Sequence, residues 1–521
     1  MFKVLLYTLN TALFSTLLAA LIGISAAFFA SKRNFLGRKL LLSFSAVPLC
    51  VPPLIVALGY VSFFGVNGTA SSIIRMLTGG KFEGFKFLYT TLGIVLAQGF
   101  YNFPLVTGIL TDYWKRLSKT EENAARLCGA GETRVFFTIT LPRLSGAIGA
   151  ACIPVFLFCF FSFMIVMLFS PVGASTLEVE LYHAVRTTLD IKSAAGYAVI
   201  ETLFALGIVF AYSLVIRRTQ KNADGMDFTA GETIRTSRRD ETVFPHKRIF
   251  HHTKSNFTAP AIGTAPFSTN SQRVTEYIAF IVLAILIILF FFVPAISIII
   301  SAFHQRKAGV ELWTTHQFSS LFTNVNFWRA LKNSILTGVS TGAICSLCGF
   351  IWAVCVKLFG KQENPVFQTI PLIPMAISSV VISWFATLIF HRGNPVLLVL
   401  LQVLLYWPIA YRQIQNGINS IPKDTDKAAL LFSRNRFDSV MRVYLPSCHR
   451  FIISGFAYSF SVSLGDATLP LVLSIPKFDT LALYVYKLAS SYRFNQSCAC
   501  GLILTIVCLF VYEWSAEKNR V

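Results

Sequence analysis

The sequence predicts an all-α polytopic membrane protein: two parallel tandem repeats of a five-helix core plus one extra helix, about eleven transmembrane helices. Three observations carry this. Of 521 residues, 55% are hydrophobic and only 13% charged, too few charges to cover a soluble fold of this length. Apolar runs of about eighteen residues or more, long enough to cross a bilayer, recur along the chain. The second half echoes the first in order.

The apolar runs place spans at about 4–30, 41–64, 89–111, 146–169, 193–216, 276–303, 333–356, 365–390, 394–411, 451–472 and 496–513. They lack the polar/apolar alternation of barrel strands, so each is read as a helix. A first module then covers 1–216, a basic linker 217–273 and a second module 274–521.

The net charge of +21 is a topology signal and does not point to nucleic acid. With loops assigned alternately and the Glu122–Pro142 loop cytoplasmic, 31 of the 45 Lys and Arg fall inside and 14 outside. Basic residues concentrate in cytoplasmic loops, which fixes this orientation and places the short N-terminus outside. That first apolar run also fits a signal peptide, but its participation in the repeat argues for a span.

Matched at an offset of 304, Gln98 meets Gln402, Pro104 meets Pro408 and Ala124-Ala125 meets Ala428-Ala429. Leu141-Pro142 meets Leu445-Pro446, and Ser193 meets Ser497. Upstream the sequence match shifts to 323, aligning Asn10 with Asn333, Ala20 with Ala343, Gly37 with Gly360 and Pro48-Leu49 with Pro371-Leu372. The difference puts about nineteen extra residues in the first copy, in the external segment 66–87. Ordered identities at two offsets indicate duplication. Five spans per copy would leave directly joined copies antiparallel. The unmatched span 276–303 restores the orientation, so both copies face the same way.

The linker carries ten basic and five acidic residues, few large aliphatics and no periodicity, the composition of a solvated segment. His246, His251 and His252 there, and Cys345-Ser-Leu-Cys348 inside an apolar span, are better read as loop and core residues than as metal ligands. No cofactor is implied.

Both copies interrupt their apolar helices with a polar cytoplasmic loop. In the first, Ser118 or Thr120 starts a helix, followed by the acids Glu121 and Glu122. Small Ala124 and Ala125 permit close approach of a partner, and Gly129 and Gly131 permit a positive-φ turn. VFFTITLP resumes as a second short helix, with Pro142 at the junction to the next span. The product is a helix–turn–helix with a protruding corner, present twice.

Small residues, a Gly four after the second Ala and Leu-Pro thirteen beyond it resemble the EAA loop of ABC importer permeases. The likeness covers nearly the whole chain and is closest to the fused permeases of the iron(III) and thiamine group. It implies that the corners dock on two cytoplasmic ATPase subunits and that an extracytoplasmic, periplasmic solute-binding protein delivers the substrate. The expected location is the bacterial inner membrane. Coupling would fall on Glu122, Asn123, Ala124, Ala125, Gly129, Leu141 and Pro142, and on Asp426, Lys427, Ala428, Ala429, Ser433, Leu445 and Pro446. This chain departs from the family where Asn123 and Lys427 take the acidic position, with Glu122 and Asp426 one residue earlier. Ser433 replaces the turn glycine, leaving Asn435 as a candidate for the left-handed conformation.

No G-x-x-x-x-G-K-[ST] loop occurs, so nucleotide hydrolysis is expected in separate subunits and the chain is not read as an enzyme. Polar residues within spans are costly and mark candidate pathway or gate positions: Gln98, Gln402, Glu201, Ser461, Ser463 and Asp466. Asp466 resembles an acidic position of the family; its plainer reading is a helix-end hydrogen bond at the outer gate. Gln98 and Gln402 are expected to form equivalent interhelical bonds. The rival class, an ion-coupled secondary transporter, would need a titratable relay that two dispersed carboxylates supply poorly and would leave the corners unexplained. A lipid-modifying enzyme lacks a catalytic cluster. A reporter inserted near Asn222 is expected to read as cytoplasmic in an accessibility assay; an external signal would reject both the topology and the parallel repeat.

Overall fold

The computed structural model describes residues 1–33, 35, 37–43, 51–81, 83–117, 120–171, 173–211, 270–307, 310–359, 367 and 370–520. Ser118, Pro48-Leu49, Gly360, most of the expected linker and its three histidines lie outside the described residues. The first copy comprises α1 (Phe2–Lys32), α2 (Arg38–Ser43), α3 (Pro53–Phe64), α4 (Thr69–Leu77) and α5 (Thr91–Arg116). It continues with α6 (Thr120–Leu127), α7 (Glu132–Val135), α8 (Leu141–Phe160), α9 (Met164–Phe169), α10 (Leu177–Arg186) and α11 (Ile191–Ala211). The extra span is α12 (Asn270–Ile287), a π turn and α13 (Val293–Phe303).

A two-stranded antiparallel ribbon, β1 (His304–Lys307) with β2 (Val310–Trp313), and α14 (His316–Phe322) lead into the second copy. That copy comprises α15 (Val325–Leu358), α16 (Ser379–Phe390), α17 (Pro395–Asn419), α18 (Lys423–Phe432) and α19 (Arg436–Ser439). It ends with α20 (Leu445–Gly465), α21 (Thr468–Leu473), α22 (Leu481–Ser490) and α23 (Phe494–Arg520).

Nine described helices are long and apolar enough to cross a membrane, matching nine of the eleven expected spans. The other two differ in form. The 365–390 segment is a 3₁₀ turn over Ile370–Ala376 followed by the twelve-residue α16. The 451–472 segment belongs to α20, which stops at Gly465 before the separate α21.

The duplication is visible element by element. At an offset of 304, α5 and α17 open on Thr91 and Pro395, α8 and α20 on Leu141 and Leu445, and α10 and α22 on Leu177 and Leu481. The upstream offset is corrected from 323 to 326. Pro53 and Ser379 open the twelve-residue helices α3 and α16. Thr8 accepts from the Leu177 N–H at 2.9 Å and Ser334 from the Leu481 N–H at 2.6 Å. Ser15 and Thr341 donate to Gln98 and Gln402 at 2.7 and 3.0 Å. The insertion between α3 and α5 is accordingly twenty-two residues and contains α4.

Packing follows membrane logic. Along α1 the buried stripe is Thr8, Ala12, Ser15, Ala19, Gly23, Ala26 and Ala30, while Leu6, Leu13, Leu17 and Leu21 are exposed. Lipid chains are as apolar as leucine, so helices associate through close van der Waals contact and hydrogen bonds between small faces. Gly23 sits against Val106 on α5, and Gly349 against Ala410 and Tyr411 on α17, again at offsets of 326 and 304. The extra span packs on α3. Gly59 faces the Pro294 carbonyl, and Ser62 bonds Ser297 and Ser301, both at 2.6 Å.

A Cβ at Gly349 would lie 2.9 Å from the Tyr411 nitrogen, whereas one at Gly207 meets nothing within 4 Å. Overpacking of this kind costs about 1–3 kcal/mol. Gly349→Ala is therefore expected to lower the thermal unfolding midpoint of the detergent-solubilised protein by several degrees. Gly207→Ala should leave it unchanged or slightly raised; equal midpoints for the two variants would disprove the close-packed seam.

Candidate functional site

Each polar corner is tethered by one acid. Glu122, buried on α6, accepts the Thr140 hydroxyl at 2.8 Å and pairs with Lys32 at 3.7 Å and Arg126 at 3.3 Å. Its counterpart Asp426 on α18 accepts the Tyr444 hydroxyl and pairs with Lys357 at 3.0 Å. Thr140 and Tyr444 are equivalent, and each ends a π turn, Phe136–Thr140 and Val440–Tyr444. The wider turn brings that side chain round to the acid, a use of π geometry common at functional sites. Lys32 and Lys357 stand at the last turns of α1 and α15, where the helix dipole also favours a cation. The Tyr444 phenol is held well above its usual range by burial and then by the Asp426 carboxylate, which keeps it a donor.

The rest of each corner differs. In the first, Arg126 bonds Glu132 at 2.6 Å and Asn123 at 2.9 Å, and the guanidinium holds the Glu132 carboxyl below its usual range. Gly129 takes φ +85° as expected; Gly131, at φ −67°, does not. In the second, the turn has no left-handed residue. Ser433 is extended, and Asn435, expected in the left-handed region, lies at φ −156° and caps α19 by accepting the Asp438 N–H. Two differently built turns reach the same place.

Ala124 and Lys427 are exposed, Ala125 and Ala428 half-buried, but Ala429 is buried against its own chain. Leu141-Pro142 and Leu445-Pro446 open α8 and α20. The corner tips instead present equivalent Leu127 and Leu431, 90% and 79% exposed, with Phe432 at 88%. Sequence reading did not single out these exposed tips, nor Lys32, Lys357, Thr140 and Tyr444. The 304 match of Leu127 with Leu431 was their one signal.

Between the copies lies a cavity of about 280 Å³. Equivalent positions face it from both sides: Pro52 and Ser378, Asn102 and Tyr406, Ser162 and Asp466. Of the candidate pathway residues, Asp466 and Ser461 line it. Gln98, Gln402, Ser463 and Glu201 do not. Gln98 and Gln402 tie α5 to α1 and α17 to α15, the equivalent interhelical bonds expected. Gln402 also accepts the Ser463 hydroxyl at 2.7 Å and donates to Asp466 at 3.5 Å. Asp466 accepts the Thr468 and Leu469 N–H groups at 2.9 and 3.2 Å, capping α21. Glu201 is fully buried beside Glu178 and Ser378.

A two-copy helical bundle with a cavity at the seam and a pair of tethered corners has the architecture of a membrane transport component. The family described as binding-protein-dependent transport system inner membrane component matches residues 19–222 and 345–517. The chain belongs to that family and is an ABC importer permease subunit. It is similar to the thiamine transport system permease protein ThiP of Escherichia coli (strain K12), 22% identical over 511 residues, covering 95% of this chain and 85% of the relative. ThiP of Brucella abortus (strain 2308) is 24% identical over 523 residues, covering 98% and 86%. A crystal structure of a bacterial ABC transporter importing the acidic polysaccharide alginate aligns with 48% of this chain and 97% of its own, at 16% identity and TM-score 0.35.

The Asp426–Lys357 pair, with both side chains at most 20% exposed, should show coupling in a double-mutant cycle. Asp426→Ala and Lys357→Ala are each expected to destabilise the solubilised protein by about 1–3 kcal/mol. The double variant should lose clearly less than the sum; strict additivity would mean that the pair does not hold the corner.

Proposed function

We propose that this permease forms the whole translocation pathway in one chain, its two copies acting as the paired subunits of other importers. The cavity at the copy interface is the pathway, with Asp466 and Ser461 in its wall. The corners are read as docking on two cytoplasmic ATPase subunits, which supply all nucleotide hydrolysis. An extracytoplasmic binding protein delivers the solute, and the bacterial inner membrane is the setting. Thiamine is the proposed solute class, supported by relatives described as thiamine transport permeases along nearly the whole chain.

The observation that carries this reading is the matched tether. Glu122 and Asp426 fix each corner to the cytoplasmic end of its copy's first helix, so movement of a docked partner is passed directly to α1 and α15. Leu127 and Leu431 lie on the open side of those corners, where a partner groove would receive them.

Burying an apolar side chain of this size contributes about 1.5–3 kcal/mol, and a carboxylate in its place adds a desolvation cost. Leu127→Glu and Leu431→Glu should each reduce binding-protein-stimulated ATP hydrolysis of the reconstituted complex at least tenfold while leaving membrane insertion intact. Full stimulation in the double variant would remove the docking role.

A further inference from the structure

The cavity between the copies is mostly apolar, and four polar residues in its wall form two pairs related by the duplication. Asn102 and Tyr406 occupy equivalent positions on α5 and α17, and Ser162 and Asp466 occupy equivalent positions beyond α8 and α20. Two-fold repetition therefore brings all four to one height around the cavity axis. Asn102 is 2% exposed, and its Oδ1 has no hydrogen-bond partner. Its amide nitrogen is used, donating to the Gln98 carbonyl at 3.0 Å and to Cys159 Sγ at 3.6 Å, so the unused end of this cavity-lining residue is an acceptor. The Tyr406 hydroxyl lies within hydrogen-bonding reach of the Asp466 carboxylate opposite.

Asp466 is the only acidic residue among the described residues that line the cavity. The only basic one among them, Arg412, lies six residues past Tyr406 on α17, roughly 9 Å further along the helix. Phe158, Phe161 and Phe163 of the first copy also line the cavity, and aromatic rings are suited to contact with a cation or a flat ring. An anionic solute would find a carboxylate and an open acceptor at this level.

We propose that this ring is a substrate-binding station selective for a small organic cation with a flat apolar body. Asp466 supplies the counter-charge and Asn102 Oδ1 accepts a hydrogen bond. This deepens the permease reading and rests on it. The station belongs to both copies, but its charge comes from the second alone. Ser162, in the first copy, stands at the same two-residue distance from α9 that Asp466 keeps from α21. The acid can therefore be moved across the pseudo-two-fold axis with its capping geometry kept.

The test is direct binding to the full chain in lipid nanodiscs, with thiamine as the cationic probe. Nicotinamide and nicotinate serve as flat neutral and anionic probes. The unaltered chain should bind thiamine saturably and nicotinate at least tenfold more weakly. Asp466→Asn retains an oxygen to cap α21 and removes only the charge; it should weaken thiamine binding tenfold or more. Adding Ser162→Asp to that variant should restore affinity to within about threefold, an outcome no merely structural role of Asp466 produces. Absent thiamine binding, unchanged binding by Asp466→Asn, preference for nicotinate, or failure of Ser162→Asp to restore affinity would each overturn the station. The permease reading is judged separately, by ATPase stimulation through the corners.

Discussion

The close contact of each copy's first helix with its third governs everything else in this molecule. In water, burying leucines would hold such helices together; in lipid that driving force is absent, and surfaces must fit or bond. Gly23 on Val106 and Gly349 on Ala410 and Tyr411 let the backbones approach. Ser15 to Gln98 and Thr341 to Gln402 then fix the rotation of each pair with one buried hydrogen bond. The side chains facing lipid are the large ones, and those facing protein are the small ones.

The same first helices join the two ends of the site. On α15, Thr341 touches the Gln402–Asp466 network at the cavity, and Lys357, sixteen residues on, grips the acid of the corner. Helical rise makes that separation roughly 24 Å. On α1, Ser15 bonds Gln98 and Lys32 pairs with the corner acid, but Gln98 Nε2 has no partner and the link onward to the cavity is absent among the described residues. In the second copy, a helix with one end at the cavity network and the other at the corner is a contiguous physical route between them. Its stiffness comes from the helix ladder, and its grip comes from two polar contacts per copy.

Hydropathy made most of the spans legible, and the polar loops stood out because they broke it. Asp466 was legible for the same reason: a lone acid in an apolar run is conspicuous. The first-helix register was not. Small residues recur every three or four positions along α1 and α15, so a slip of three leaves the stripe nearly superimposed, and identity alone chose 323 over 326. The hydrogen bonds at Thr8, Ser15, Ser334 and Thr341, with the glycine contacts of Gly23 and Gly349, separate the two. Lys32 and Lys357 were illegible as corner residues because their partners lie about seventy to ninety positions away. The π turns leave no composition signal, and the cavity ring is assembled from two helices and two junctions between helices.

Duplication supplies symmetry, and the sequence then removes part of it. The first corner is stiffened by Arg126 clamped between Glu122 and Glu132 and turns on a left-handed glycine. The second has no such clamp; it turns through extended Ser433 and a capping Asn435. At the tips, Leu431 is joined by exposed Phe432 where the first copy has Cys128. The cavity shows the same pattern, with Asp466 and Tyr406 facing Ser162 and Asn102. Two separate, identical subunits could not hold a single charge on one wall of a shared cavity, because symmetry would place a second opposite it. Two such acids facing across an apolar space would repel and favour a doubly charged ligand. Fusion of the copies into one chain is what permits one acid, one empty acceptor and two unlike corners to persist together.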